Sequence, residues 1–253
     1  MKTCESCPYF GKVDFFKGKW DYTIALAGNP NTGKSTVFNL LTGLKQHTGN
    51  WPGKTITRAE GRLDYGGKRF KIVDLPGTYS LLSANSEEEV ARDFILINNP
   101  NVTVVVVDAC RLERNLSLVL QIMQITDRVI VCLNLMDEAE AHGLEINVKG
   151  LANDLGVPVV PMAAREKKGL DVLLREIRDM AEGQSKTQPR RLEYLSPPLQ
   201  KAVQELSSLL KKSFPRMKHA SWIALRLLQG DPRIAQAVTS GELEKMYAQR
   251  DAK

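Results

Sequence analysis

The sequence predicts an α/β fold, in which a doubly wound, mixed sheet carries helices on both faces and a small all-α region follows. Three observations support this prediction. Apolar runs alternate with helix-period patterns up to about residue 183, as in sheets built from strand–helix crossovers. Two strand patterns meet at Gly66-Gly67, a sequence typical of a two-residue hairpin. No strand pattern follows the proline-containing stretch 183–198, which is predicted to be a linker.

The predicted strands are short runs of apolar and β-branched residues. The longest β-branched run, 102–109, is uninterrupted, as expected of a strand that is covered on both faces. The hairpin adds one antiparallel strand to an otherwise parallel sheet. Strands are predicted at residues 22–27, 57–65, 68–74, 102–109, 128–134 and 157–162.

The predicted helices show apolar residues at helical spacing. The first ends at Gly43, a residue type that favours helix C-caps. The polar segment 45–57 contains Gly and Pro and is predicted to be a loop. Helices are predicted at residues 35–43, 88–98, 115–126, 151–156 and 169–183, and several more between 199 and 250.

Composition and charge indicate a globular protein with a basic C-terminal part. The 253 residues are 43% hydrophobic and 25% charged, and we expect neither a signal peptide nor a membrane helix among them. Residues 1–183 contain 22 basic and 23 acidic side chains, whereas residues 184–253 contain 13 and 6. Such a basic region favours an anionic partner, and a simple solvated surface is the alternative.

Cys4 and Cys7 form a C-x-x-C sequence near the start of the chain. No second Cys/His pair stands at zinc-finger spacing. Two interpretations stay open: a metal or redox site, or two free thiols in a frayed N-terminal segment.

Residues 28–35, GNPNTGKS, match the pattern G-x-x-x-x-G-K-[ST]. A strand precedes this loop and a helix follows it, so backbone N–H groups and the positive end of the helix dipole converge on one point. Lys34 would reach the β- and γ-phosphates, and Ser35 would ligate Mg²⁺. The pattern therefore predicts a phosphate-binding loop.

Two further motifs follow predicted strands. Asp74 of DLPG can hold Mg²⁺, and Gly77 lets a backbone N–H approach the γ-phosphate. Asp137 of NLMD can accept two N–H bonds from one planar edge, which guanine offers and adenine does not. A backbone N–H of the loop 162–169 could reach guanine O6. These motifs favour GTP over ATP.

The order of these motifs resembles the translation-factor-like GTPases, which are P-loop proteins. The stretches GNPNTGKSTVFNLLTG, HTGNWPGKT, DLPGTYSL and NLMDEA are similar to the N-terminal G domain of the ferrous iron transport protein B (FeoB) family. ASWIALRLLQGDP resembles that family's small helical domain. The resemblance covers about 22–250 and implies an N-terminal extension (1–20), a P-loop G domain (21–183) and a small helical domain (184–253).

The resemblance implies a site for GTP or GDP, Mg²⁺ and K⁺, with residues 44–57 as switch I and 74–90 as switch II. The implied Mg²⁺ ligands are Ser35, Thr55 and Asp74. The implied K⁺ ligands are Asn31 and the backbone carbonyls of Gly49 and Trp51. The implied catalytic residues are Asn31, Lys34, Thr55 and Gly77. The implied nucleotide-binding residues are Gly28, Asn29, Pro30, Asn31, Thr32, Gly33, Lys34, Ser35, Thr36, Gly53, Lys54, Thr55, Ile56, Thr57, Asp74, Leu75, Pro76, Gly77, Asn134, Leu135, Met136, Asp137, Ala163, Ala164 and Arg165.

The function implied by the resemblance is regulation of ferrous iron uptake. A slow, K⁺-stimulated GTPase would convert GTP and water to GDP and phosphate, and this cycle would move the switches and the helical domain. The implied partners are guanine nucleotide and a transmembrane iron-permease region of the same polypeptide, with small Feo accessory proteins and a second copy as further candidates; we expect no nucleic acid. The implied location is the cytoplasmic face of the bacterial inner membrane, with the present residues soluble.

Two other functions remain open from the sequence. An RNA-binding GTPase of ribosome assembly would share the phosphate loop and the basic region, although no GXXG loop or aromatic RNA-binding signature is present. Salt-dependent RNA binding would favour that function. A nucleotide-gated interaction module with negligible turnover is the third possibility, and a single-turnover GTPase assay distinguishes it.

The guanine motifs depart from the usual pattern at two places. Leu135 replaces the lysine of N-K-x-D, and its apolar stem would still cover the base. Ala163-Ala164 replaces the usual S-A, which removes a loop hydrogen bond worth about 0.5–1.5 kcal/mol. We therefore predict a loose base loop and fast GDP release. Release measured by stopped flow that is slower than in serine-bearing relatives would contradict this prediction.

Overall fold

The computed structural model describes residues 19–44, 46–51, 54–82, 85–185, 187–191, 196–215, 217–244 and 247. The predictions made for Cys4, Cys7 and Gly53 lie outside these residues, as does nearly all of the predicted N-terminal extension.

Seven strands form one sheet within the described residues. They are β1 (Tyr22–Gly28), β2 (Gln46–Asn50), β3 (Thr57–Tyr65), β4 (Lys68–Asp74), β5 (Val102–Asp108), β6 (Val129–Asn134) and β7 (Val159–Pro161). Their order across the sheet is β2-β3-β4-β1-β5-β6-β7. Only β3 pairs antiparallel with its neighbours, and the other pairs are parallel. The predicted mixed sheet and its hairpin at Gly66-Gly67 are confirmed.

Strand β2 corrects one prediction, because it lies inside the segment 45–57 that was expected to be a loop. Its sequence, QHTGN, has no alternation of apolar and polar residues. Instead, Gln46 to Asn50 pair with Gly61 to Thr57 of β3. This strand is an edge strand that backbone pairing defines, so side-chain periodicity carries no signal for it.

Helices cover both faces of the sheet, as predicted. They are α1 (Lys34–Thr42), α2 (Ser86–Asp93), α3 (Leu112–Ile125), α4 (Met136–Ala141), α5 (Val148–Leu155), α6 (Leu170–Ala181), α7 (Pro197–Ser213), α8 (Ala220–Leu228) and α9 (Pro232–Thr239). A wider π-helical turn, Phe94–Asn98, continues α2. In the part of the chain that the structure describes, none of these helices is both long and apolar enough to cross a bilayer.

The two faces of the sheet have separate apolar cores. Helices α1 and α6 cover one face, where Phe38 and Ile177 pack with Leu26 and Val104. Helices α2 and α3 and the π-helical turn cover the other face. This arrangement places the carboxyl ends of β1, β4, β5 and β6 at one edge of the sheet, which is where ligands bind in doubly wound folds.

Helices α7 to α9 extend the core on the second face. Ile223 and Ile234 are fully buried in the same apolar cluster as Phe94. The Tyr247 hydroxyl lies 3.5 Å from the carbonyl oxygen of Leu96 in the π-helical turn. The helical region therefore packs directly behind α2. The domain boundaries given above stay predictions.

Candidate functional site

The loop between β1 and α1 requires glycine at two positions. A Cβ on Gly28 would lie 2.6 Å from the carbonyl oxygen of Val106 in β5. Gly33 has φ +81°, and a Cβ there would lie 2.3 Å from Nδ2 of Asn134. Both glycines of the phosphate-loop pattern are thus needed for close approach and for a left-handed backbone. Asn31 also takes a left-handed conformation, with φ +66°.

Asn134, at the end of β6, connects three loops. Its Nδ2 donates to the carbonyl oxygen of Thr32 at 3.0 Å, and its Oδ1 accepts from the N–H of Ala164 at 3.0 Å. The side chain is buried, with 1% exposed. Met136 N–H donates to the carbonyl oxygen of Met162 at 3.1 Å. The phosphate loop, the NLMD segment and the loop after β7 therefore form one unit. Because the N–H of Ala164 is bonded to Asn134, guanine O6 would need a different donor in this conformation.

A cavity of about 330 Å³ lies between these loops. Its volume is in the range of small-molecule sites. The lining residues are Asn31, Gly33, Thr36, Asp108, Arg111, Asn134, Leu135, Asp137, Glu138, Ala164 and Arg165. Eight of these eleven are among the residues that the family resemblance implies, and their contact with a nucleotide stays a prediction. The other three were not predicted. Glu138 directly follows NLMD, whereas Asp108 and Arg111 belong to no motif, and the signal for these two was only their position at the carboxyl end of a central strand.

The DLPG segment lies against the phosphate loop. A Cβ on Gly77 would contact Pro30 at 3.5 Å, and the N–H of Thr78 donates to the carbonyl oxygen of Gly28 at 3.2 Å. Lys34 forms a close ion pair with Asp74. Burial raises the pKa of the Asp74 carboxyl above its usual value, and the charge of Lys34 partly offsets this effect.

These residues fit a Mg²⁺ ion of the kind that accompanies phosphates. Mg²⁺ binds through one or two carboxylates together with substrate phosphates, rather than in an all-protein cage. Asp74 supplies a carboxylate beside Lys34, and Ser35 stands in the first turn of α1 with its side chain exposed. No cluster of three or more His, Cys, Asp or Glu suited to a metal occurs within the described ranges.

Most of switch I lies away from the cavity. Gly49 pairs with Arg58 in the β2–β3 ladder, and the carbonyl oxygen of Trp51 accepts the N–H of Lys54 at 3.0 Å. Thr55 is exposed in the bend before β3. The structure therefore does not bring the implied K⁺ carbonyls or the implied Mg²⁺ threonine to the cavity.

Two contacts hold switch I against α2 and the π-helical turn that continues it. The Trp51 side chain is 7% exposed, and its ring meets the ring of Phe94 edge-on at 5.6 Å. The Lys54 ammonium pairs with Glu89 at 2.7 Å. The two segments that the family resemblance designates as switches are thus connected to each other in this conformation.

Thr78 stands where many GTPases have a glutamine that orients water. It is buried, and its hydroxyl donates to the carbonyl oxygen of Ser80 at 2.6 Å. This side chain therefore has its own partner within switch II.

The fold and the converging loops define a P-loop protein of the guanine-nucleotide-binding type. Residues 22–177 match the family model for ferrous iron transport protein B, and residues 196–252 match the model for the FeoB cytosolic helical domain. The chain belongs to the FeoB family, and its G domain makes it a member of a GTPase family.

Known proteins agree with this assignment. The chain is 37% identical over 213 residues to the Fe(2+) transporter FeoB of Shigella flexneri, which covers 83% of this chain and 27% of that protein. It thus spans about a quarter of the length of this relative. The cytosolic domain of L. pneumophila FeoB is 34% identical, with a TM-score of 0.77 over 88% of each chain. A variant of S. thermophilus NFeoB bound to GDP is 32% identical, with a TM-score of 0.74 over 90% of this chain and 88% of that one.

Replacing Asn134 tests the connection between the three loops. Asn134→Ala leaves a carbonyl oxygen and an N–H without their buried partner, at a cost of about 1–3 kcal/mol. We expect the Kd for GDP, measured by calorimetry, to rise by roughly 5- to 150-fold, as that energy implies.

Asn147→Ala is the matched control, because Asn147 also bonds a backbone N–H, that of Gly150, at the exposed start of α5. We expect it to change the Kd for GDP by less than about twofold, since no ligand-facing group loses a partner. Equal effects of the two substitutions would contradict the role of Asn134.

Proposed function

We propose that this chain is the GTP-binding and GTP-hydrolysing regulatory part of a ferrous iron transporter. The observation that carries the proposal is the convergence of three nucleotide motifs on one cavity through Asn134. The relatives named Fe(2+) transporter extend well beyond the matched region. A transmembrane iron-permease region in the same polypeptide is therefore the proposed partner. The proposed location is the cytoplasmic face of the bacterial inner membrane, and accessory Feo proteins and a second copy are further candidate partners.

Different residues in and beside the cavity would bind the base, the phosphates and Mg²⁺. Asp137 would accept two N–H bonds from the guanine edge, and Leu135 would cover the base. Lys34 would exchange its ion pair with Asp74 for the β- and γ-phosphates. Ser35, Asp74 and Thr55 would then hold Mg²⁺, which supplies charge neutralisation to the phosphates when bound.

Potassium is the proposed second ion. Asn31 faces the cavity from the phosphate loop, while the carbonyls of Gly49 and Trp51 are held in the β2–β3 region. The coordination shell of K⁺ would therefore be complete only after switch I detaches from β3. Because the Thr78 hydroxyl bonds within switch II, a cation beside the phosphates is the proposed source of transition-state charge stabilisation.

Potassium dependence tests this proposal. We predict that GTP turnover, measured as phosphate release, is faster in KCl than in NaCl by at least about tenfold, as expected for a lost electrostatic donor. Asn31→Ala should remove the difference and leave the Kd for GDP nearly unchanged. Equal turnover in the two salts would rule out the K⁺ role.

A buried ionic cluster offers a route from switch II to the helical region. Arg92 of α2 is fully buried and pairs with Asp93 at 2.9 Å. Its Nη1 lies 3.8 Å from Asp231, which also pairs with Arg226 of α8 at 2.7 Å. Nη2 of Arg226 lies 3.5 Å from the carbonyl oxygen of Leu82 in switch II. We propose that this cluster transmits the nucleotide state to α8 and α9.

Asp231 is ionised within that cluster. Burial alone would raise its pKa, but hydrogen bonds from Arg226 and from the N–H of Ile234, with the charges of Arg226 and Arg92, lower it overall. The carboxylate also caps the start of α9. A shift of α2 would therefore change both a buried charge pair and the helix that follows.

Replacing Arg92 tests the transmission. Arg92→Met removes the close ion pair of the buried Asp93 carboxylate, while Asp231 keeps Arg226. It should destabilise the protein by about 3–5 kcal/mol. Hydrogen exchange of α8 and α9 should differ between the GDP-bound and GTP-analogue-bound states of the unchanged chain, and this difference should disappear in Arg92→Met.

The control is Arg175→Met, which breaks an exposed pair with Asp171 on α6 and should preserve the difference. A state-dependent difference that persists in Arg92→Met would contradict transmission through this cluster.

A further inference from the structure

The turn between β5 and α3 forms a wall of the cavity that no nucleotide motif includes. Asp108, the last residue of β5, and Arg111, at the end of a short 3-10 turn, both line the cavity. Residues of the phosphate loop and of the NLMD segment line the same cavity. A ligand that spans those two segments would therefore come close to this wall.

Two buried polar side chains build this turn. Oδ1 of Asp108 accepts the N–H of Cys110 at 2.8 Å. Nδ2 of Asn115 donates to the carbonyl oxygen of Arg111 at 2.7 Å, and Asn115 is buried within α3. One hydrogen bond thus holds the start of the turn and the other holds its end, at the carbonyl oxygen of Arg111. Together they fix the position of the Arg111 Cα.

The charges around the cavity distinguish Arg111 from the other lining arginine. Arg165 pairs with Glu138 at 3.3 Å. Nε of Arg111 lies 4.0 Å from Oδ2 of Asp108, at the outer limit of an ion pair, and its side chain is 69% exposed. Arg111 can therefore turn toward an anionic ligand without breaking a close ion pair.

The remaining charged residues of the lining make a cation necessary if a phosphate is to bind here. Asp108, Asp137 and Glu138 contribute three carboxylates, which would repel a phosphate. Leu135 stands where guanine motifs commonly have a lysine, so that segment adds no positive charge. Asp137 already provides the acceptor that guanine requires. A phosphate instead requires a donor, and a guanidinium matches its oxygens with two parallel N–H bonds.

We propose that Arg111 binds the α-phosphate of the guanine nucleotide and so favours nucleotides over guanosine. The inference rests on the proposed function, since it assumes guanine nucleotide as the ligand. The α-phosphate is the phosphate nearest the base and ribose. In a nucleotide whose base meets Asp137 and whose other phosphates meet the phosphate loop, it would lie between these two groups of lining residues, in the cavity that Arg111 also lines. GMP, which has only this phosphate, is therefore sufficient to detect the contact.

The test is competition against a fluorescent GDP derivative with unlabelled GDP, GMP and guanosine. Arg111→Gln should raise the Kd of both GDP and GMP by about tenfold or more, as expected for a lost hydrogen bond to a charged group. It should change the Kd of guanosine by less than about twofold, because that ligand has no phosphate. Arg111→Lys should give Kd values for GDP and GMP between those of the unchanged chain and those of Arg111→Gln, because lysine keeps the charge but cannot form two parallel N–H bonds.

The matched control is Arg175→Gln on α6, another exposed arginine, which pairs with Asp171 and does not line the cavity. It should leave all three Kd values unchanged. Thermal melting checks that each variant is folded. If Arg111→Gln does not fold, the Kd values of Arg111→Lys test the inference.

An unchanged Kd for GMP, or an equal loss for guanosine, would overturn the inference. Failure of the unchanged chain to prefer GDP over ADP would instead overturn the proposed function, so the two failures are distinguishable.

Discussion

The candidate nucleotide site depends on one buried carboxamide. Asn134 bonds a carbonyl oxygen of the phosphate loop and an N–H of the loop after β7, and its Nδ2 occupies the space that a side chain on Gly33 would need. Any displacement of one loop would therefore leave buried polar groups of another unpaired. Because Asn134 ends β6, which is paired on both sides, the sheet itself fixes the spacing between the phosphate end and the base end of the cavity.

Switch I contrasts with this rigid part. Its strand β2 is polar, five residues long and at the edge of the sheet, so its detachment would expose little apolar surface. The buried ring of Trp51 is the main apolar contact that would be lost. Burial of a large aromatic side chain is worth about 4–6 kcal/mol at the usual free energy per unit of apolar area. That energy is small enough for nucleotide and ion binding to outweigh. The fold therefore combines a nucleotide site whose loops Asn134 connects with a switch I that we propose detaches, and the Arg92 cluster lies behind the helix that switch I contacts.

The sequence predicts those features that rest on periodicity or on glycine, and misses those that rest on pairing alone. The run 102–109 and the hairpin at Gly66-Gly67 have strong local signals, and both appear in the structure. Strand β2 has none, because its partner rather than its own side chains makes it a strand. Likewise, Arg111 belongs to no motif, and its place on the cavity wall follows from a turn that Asp108 and Asn115 stabilise.

The central claim is that Asn134 and Asp137 create a pocket selective for guanine, and the affinity of the unchanged chain for different bases tests it most directly. Calorimetry with GDP, ADP and xanthosine diphosphate in the presence of Mg²⁺ keeps the phosphates constant and varies only the base edge. Two hydrogen bonds to a charged carboxylate predict that GDP binds at least about 100-fold more tightly than ADP or xanthosine diphosphate. Equal affinities for GDP and ADP would contradict the account.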